Sequence, residues 1–175
     1  QSPQPRSLVG LEIAKAVDGV EFDPDQAKIA LLRVPDRPGV AAKLFGEIAR
    51  QNVDVDLIIQ SIHEAESNDI AFTVLKGVLP KAEAVAEAIA PALRTHPSKT
   101  QEAEVLIEKG TAKIAIAGAG MIGRPGIAAK MFTTLANAGV NIEMISTSEV
   151  KVSCVIPEEE GSKSIKALCE AFDVH

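Results

Sequence analysis

The 175-residue chain is 46% hydrophobic, enough for packed cores, yet only 3% aromatic, with neither Trp nor Tyr, so Ala, Val, Ile and Leu must fill those cores. Without aromatic stacking platforms, and with a net charge of −6, it is a poor candidate for single-stranded nucleic acid or for phosphate backbones generally. No apolar run approaches the roughly 20 residues that span a bilayer, and no secretory signal is visible. Cys154 and Cys169 stand in apolar contexts without metal-ligand spacing and read as reduced core thiols of a cytoplasmic protein. The start at Gln rather than Met is compatible with a fragment or processed piece of a longer chain.

In chain order, residues 1–7 carry two Pro and no pattern, and a short strand is expected at Leu11–Val17. Asp23-Pro-Asp25 is a turn signal. Lys28–Val34 is a nearly continuous apolar run that reads as a buried strand, broken by Pro35 to Gly39. A helix is expected from Pro38 to Gln51, with Val40, Ala41, Leu44, Phe45 and Ile48 at helical spacing and Pro at its first position. Strands follow at Val53–Ile62 and Asp69–Leu75, an Ala-rich helix at Lys81–Leu93, and a strand at Glu102–Glu108. The second half predicts a strand at Lys113–Ala117, a helix at Pro125–Ala138, strands at Val140–Thr147 and Glu149–Ile156, and a helix at Gly161–Phe172.

The two halves are copies of one unit. Arg37-Pro-Gly-Val-Ala-Ala-Lys-Leu-Phe45 returns 87 residues on as Arg124-Pro-Gly-Ile-Ala-Ala-Lys-Met-Phe132, with seven of nine residues identical. At the same offset Asn52-Val-Asp-Val-Asp-Leu-Ile58 meets Gly139-Val-Asn-Ile-Glu-Met-Ile145. Such a repeat sets the organisation before any other motif is read. The fold class is α+β: two ferredoxin-like βαββαβ units, residues 25–109 and 110–175, after a segment 1–24. The second unit is one strand short, and the strand near Leu11–Val17 is expected to complete it, since a bare sheet edge invites aggregation.

Each unit carries a Pro/Gly loop between a strand and a helix. A helix start gathers unpaired N–H groups and positive potential. Gly39, Ala41 and Ala42, and in the second copy Gly126, Ala128 and Ala129, leave the main chain open to a guest. A carboxylate suits that environment. Asp54 and Asp56, and in the second copy Glu143, are expected nearby as partners for an ammonium group. Together these describe an α-amino acid. Alternatively, Pro-Gly only ends a strand and starts a helix, and the acids are solvated. The repetition of the whole combination favours the binding reading.

Gly118-Ala-Gly-Met-Ile-Gly123 follows a strand and imitates a dinucleotide fingerprint. In that reading the helix opens inside the glycine run, and Pro125 would interrupt it. Only 52 residues follow Gly123, too few for a doubly wound sheet, and Arg33-Val-Pro-Asp-Arg37 of the first copy lacks the glycines. A nicotinamide enzyme is therefore rejected, and the glycines are read as letting the chain turn beside a ligand. No catalytic set appears: His63, His96 and His175 are scattered, and Glu158-Glu-Glu160 reads as a solvated turn before the last helix.

The repeated Arg-Pro-Gly motif, Val53-Asp-Val-Asp-Leu-Ile-Ile-Gln60 and above all Ile145-Ser-Thr-Ser-Glu149 resemble the paired ACT domains at the regulatory end of aspartate kinases. The likeness runs from about Leu8 onward. In some bacteria such a segment is also made separately, as the β subunit of an α2β2 aspartate kinase. The resemblance implies a chain without catalysis of its own, metal or cofactor, through which threonine, lysine or both inhibit an aspartate kinase. It implies partnership with the kinase catalytic domain or α subunit, a homodimer through the ACT units, and no nucleic-acid or membrane partner. It assigns effector contacts to Asp36, Arg37, Pro38, Gly39, Val40 and Ala41 of the first loop, and to Asp54, Val55, Asp56 and Gln60. In the second unit it assigns Ile127, Ala128, Asn141, Ile142, Glu143, Ser148 and Glu149. The alternative from another class is an assembly module whose loops stay empty.

Overall fold

In a computed structural model of the chain, residues 16–35, 37–63, 67–93, 103–121 and 123–175 are described. Two compact units emerge. A continuous unit comprises Asp25–Gly110, and a composite unit joins Thr111–His175 to Gln1–Pro24. The strands are β1 (Gly19–Pro35), β2 (Ile58–His63), β3 (Ser67–Val74), β4 (Glu104–Ala117), β5 (Met144–Thr147) and β6 (Lys151–Pro157). The helices are α1 (Val40–Arg50), α2 (Leu79–Ile89), α3 (Pro125–Asn137) and α4 (Gly161–Phe172).

In the continuous unit the strand order is β2-β3-β1-β4, the ferredoxin-like arrangement, with β3 antiparallel to both β1 and β2. Its core follows from sequence periodicity. Ala27, Ile29 and Leu31 alternate along β1, as do Ile70, Phe72 and Val74 along β3. Val40, Leu44 and Ile48 recur every four residues on α1, and Leu79, Ala82, Ala86 and Ile89 make the stripe of α2. All are buried together in one cluster. Each enclosed Ile, Leu or Phe contributes about 1.5–3 kcal/mol of transfer free energy. Phe45 meets Phe72 edge-on, with ring centroids 5.3 Å apart.

The composite unit repeats this with β5-β6-β4-β1. Ile114 and Ile116 of β4 and Val152, Cys154 and Ile156 of β6 pack with Met131 and Leu135 of α3 and Leu168 of α4. Residues 19–24 of β1 take the place of the missing fourth strand, and the Asp18 N–H donates to the Ala117 carbonyl at 2.7 Å. A strand from the N-terminal side does complete this unit, but it lies later than Leu11–Val17. Residues 11–15 fall outside the described residues, and Ala16–Asp18 are not strand.

Several expected boundaries move. The turn at Asp23-Pro-Asp25 does not form, and β1 runs through it. Asp25 is held in place by accepting the Lys76 N–H at 2.9 Å. Glu102–Glu108 and Lys113–Ala117 merge into the single strand β4, since no Pro or positive-φ residue interrupts residues 104–117. The strand expected from Val53 begins only at Ile58; ahead of it the pairing is irregular, with Asp56 and Leu57 both bonded to the Thr73 main chain and the Leu57 N–H donating to the Thr73 hydroxyl at 3.0 Å. Among described residues, no helix is long and apolar enough to cross a membrane.

Candidate functional site

Each unit has a cavity at its strand-to-helix corner. In the continuous unit it measures about 370 Å³ and is lined by Pro35, Arg37, Pro38, Gly39, Val40, Ala41, Gln60, Asn68 and Ile70. In the composite unit it measures about 410 Å³ and is lined by Met121, Gly123, Arg124, Pro125, Ile127, Ala128, Thr147, Ser148 and Val152. Both volumes fall in the roughly 300–1,000 Å³ range of small-molecule sites.

The repeat relates these walls closely. Arg37, Pro38, Val40 and Ala41 correspond at the 87-residue offset to Arg124, Pro125, Ile127 and Ala128, and Gln60 corresponds to Thr147. Gln60 pairs across the hairpin with Ile70, and Thr147 pairs across its own with Val152. One arginine, one helix start and one hydrogen-bonding side chain on the edge strand thus recur in both. The first cavity adds carboxamides, Gln60 and buried Asn68, whereas the second has hydroxyls, Thr147 and Ser148, beside apolar Met121 and Val152.

Neither helix start has a side-chain cap or an acid in its first turn. The first-turn N–H groups of α1 therefore offer donors and positive potential towards an anionic guest, whereas in α3 Pro125 has no N–H and the Ile127 N–H donates back to the Arg124 carbonyl at 3.1 Å, so that start offers fewer donors. The two starts differ in detail. Pro125 opens α3, as expected for Pro, but α1 begins at Val40, two residues later than expected. There Gly39 precedes the helix in a left-handed conformation, with φ +91° and ψ −13°.

The expected site residues separate into two groups. Arg37, Pro38, Gly39, Val40, Ala41 and Gln60 line the first cavity, and Ile127, Ala128 and Ser148 line the second. Asp36 lies outside the described residues. Asp54, Val55 and Asp56 do not line the first cavity, nor do Asn141, Ile142, Glu143 and Glu149 line the second. The Asp56 N–H donates to the Thr73 carbonyl and the Glu143 N–H to the Val155 carbonyl, just ahead of β2 and β5 and four residues before Gln60 and Thr147. Val55 and Ile142 instead pack against the cores of their units, Asn141 and Asp54 are exposed, and Glu149 is exposed in the β5–β6 turn. The acids expected to hold an ammonium are therefore not among the residues that line these cavities. Asn68 escaped sequence reasoning because it enters through β3, whose pairing with β1 and β2 is invisible in the one-dimensional pattern.

The glycine run 118–123 has a structural explanation at its first position. A Cβ on Gly118 would sit 2.2 Å from the Ala16 carbonyl oxygen, so glycine is needed where the N-terminal segment crosses. Gly123 does line the second cavity, and α3 opens after the run, at Pro125. Cys154 is buried, and burial pushes its thiol from 9.0 up to about 12. His63 lies in β2, His96 is outside the described residues, and exposed His175 stands 3.2 Å from Asp173. No metal-binding group of three or more His, Cys, Asp or Glu occurs among the described residues.

Two ferredoxin-like units, each with an open corner between a Pro/Gly loop and a helix, define a tandem α+β architecture. Residues 28–93 and 114–172 each match the ACT domain family. The crystal structure of the ligand-free regulatory subunit of aspartate kinase from Thermus thermophilus superposes with a TM-score of 0.82 at 38% identity, covering 90% of this chain and 99% of that one. The crystal structure of aspartate kinase from Synechocystis superposes with a TM-score of 0.87 at 73% identity, covering 93% of this chain and 28% of that one. An aspartokinase of Thermus thermophilus is 39% identical over 168 residues, which are 95% of this chain and 40% of that protein. The chain belongs to the family of tandem-ACT regulatory subunits and regions of aspartate kinases. It spans about 40% of the length of the curated relatives it matches, and its two family matches are both ACT domains.

Proposed function

We propose that this chain is the amino-acid sensor of an aspartate kinase, mediating feedback inhibition by threonine, lysine or both. The observation that carries the reading is the recurrence, 87 residues apart, of a cavity combining an arginine, an uncapped helix start and a hydrogen-bonding side chain on the edge strand. Arg37 or Arg124 and the helix N–H groups suit a carboxylate. Gln60 or Thr147 is suited to the remaining polar groups of the guest. Since Asp54, Asp56 and Glu143 do not line the cavities, carboxamide, hydroxyl and main-chain oxygens are the ammonium acceptors at hand in the isolated unit. No cofactor enters this role.

The partner is the kinase catalytic domain or a separate α subunit, in the cytoplasm. Inhibition requires that the effector bind one state of the assembly more tightly than another. Titration of the 175-residue chain with L-threonine and with L-lysine by calorimetry tests the sensor reading directly, and heat from neither ligand refutes it.

One observation favours a second role beside the first. Ile58 and Ile145 are repeat-equivalent residues on the edge strands β2 and β5, and they are 54% and 42% exposed. Exposed apolar edges suit pairing with a second copy, which supports a homodimer through the ACT units. Gln60→Ala separates the roles: a pure assembly module keeps its oligomeric state and has no ligand affinity to lose.

A further inference from the structure

The register of β1 against β3 changes near the first cavity. Leu31 stands opposite Ile70, but Val34 stands opposite Asn68, so Leu32 and Arg33 together face the single residue Asp69. This is a β-bulge, and its consequence is a change of face. Burial follows Ala27, Ile29 and Leu31 and then resumes at Val34 and Pro35. The bulge thus decides which side of the sheet the last residues of β1 present, Pro35 of the cavity wall among them.

Arg33 carries the cost of this geometry. Its φ is +59°, a left-handed conformation unfavourable for a side chain of this size. Asp69 answers it directly: the Arg33 N–H donates to the Asp69 Oδ1 at 3.0 Å. The Arg33 guanidinium reaches the Glu104 carboxylate at 2.8 Å, a contact largely open to solvent. Asp69 lies between Asn68 and Ile70, both of which line the cavity. The other unit has no such device among its described residues. There β4 and β6 pair in unbroken register from Thr111 to Ala117, and Gly120 stands at the position equivalent to Arg33.

We propose that Asp69 is a positioning residue for the first cavity. Its carboxylate holds the Arg33 bulge, and the bulge presents Pro35 and the Arg37–Gly39 turn to the guest. This assignment rests on the reading of that cavity as an amino-acid site, but its structural half is independent of any ligand.

The test uses the 175-residue chain and four variants: Asp69→Ala, Asp69→Asn, Arg33→Gly and the double variant Arg33→Gly/Asp69→Ala. Threonine and lysine affinities are measured by calorimetry, and amide exchange of Val34, Arg37 and Gly39 is followed without ligand. Asp69→Ala is expected to speed exchange at those amides and to weaken binding about tenfold, the scale of one lost charge-assisted hydrogen bond. Asp69→Asn keeps an acceptor oxygen and stays within about threefold of the parent. Arg33→Gly alone binds like the parent, because glycine adopts positive φ freely and the Glu104 contact is not needed. The double variant recovers both slow exchange and affinity, which a general loss of stability at Asp69 does not predict. Unchanged exchange in Asp69→Ala, or no recovery in the double variant, overturns the proposal. If the parent binds neither amino acid while exchange follows the expected pattern, the positioning of the turn stands and the amino-acid reading of the cavity falls.

Discussion

Gly39 and Gly126 occupy the same place in the repeated Arg-Pro-Gly motif, yet alanine at the two positions is expected to have opposite effects. At Gly39 the backbone is left-handed, with φ +91°, and an added Cβ meets nothing within 4 Å. The penalty is therefore conformational rather than steric. An L-residue in the left-handed region costs about 1–2 kcal/mol, and the restricted unfolded chain returns about 0.4–1 kcal/mol of that. A net loss of about 1 kcal/mol results. Gly126 is the second residue of α3, has no positive φ, and also has open space around its Cβ. There alanine gains about 0.5–1 kcal/mol through helix propensity and unfolded-state entropy. The two variants should differ by about 2 kcal/mol. For a chain of this length each kcal/mol moves the melting temperature by about 2–4 °C, so the midpoints should separate by about 4–8 °C. Thermal unfolding by circular dichroism, with urea titration as a check on reversibility, measures this. Equal shifts of the same sign would show that the two corners share one backbone conformation, and the reasoning would fail.

Gln60→Ala should weaken amino-acid binding by about fivefold, the scale of one neutral hydrogen bond, with little change in melting temperature because Gln60 is exposed; calorimetry and a thermal scan report the two quantities. Phe72→Ala removes a fully buried ring packed against Phe45 and should cost about 3–5 kcal/mol in urea unfolding. Gly118→Ala forces a Cβ against the Ala16 carbonyl and should cost about 1–3 kcal/mol, whereas Gly110→Ala, with open space and no positive φ, should be neutral or stabilising in the same assay. The Cys154 thiol is held protonated to about pH 12 by burial. Because its folded value is raised, its contribution to stability is complete below about pH 9 and is lost as pH rises from there through 12. Unfolding midpoints measured across alkaline pH should therefore fall less steeply in Cys154→Ala than in the parent.

Much of this architecture was legible in one dimension because it depends on local periodicity. The spacing of Val40, Leu44 and Ile48 marked α1, and Gly161–Phe172 marked α4 to the residue. The repeat implied that whatever corner formed after the first strand would form again, and both corners do carry cavities. Arg37, Gln60, Ile127 and Ser148 could be picked out through the resemblance to the paired ACT domains of aspartate kinases, which the repeated motifs and the segments after them carry. Asn68 and the Arg33 bulge could not, since each acquires meaning only from strands paired across the hairpins and from the far end of β1.

The sequence by itself determined that there are two units, the order of helices and strands that repeats in them, and that small residues stand at each helix start. Tertiary structure decided the register. It ran β1 through Asp23-Pro-Asp25, brought residues 19–24 into the composite unit, and left Asp56 and Glu143 out of the cavity walls. It also gave Gly39 a left-handed backbone while Gly126 stays helical. The physical reason is range. A helical stripe or a Pro-Gly stop is written among neighbours a few residues apart, whereas a strand's partner and its phase are chosen by hydrogen bonds and burial between residues tens of positions away.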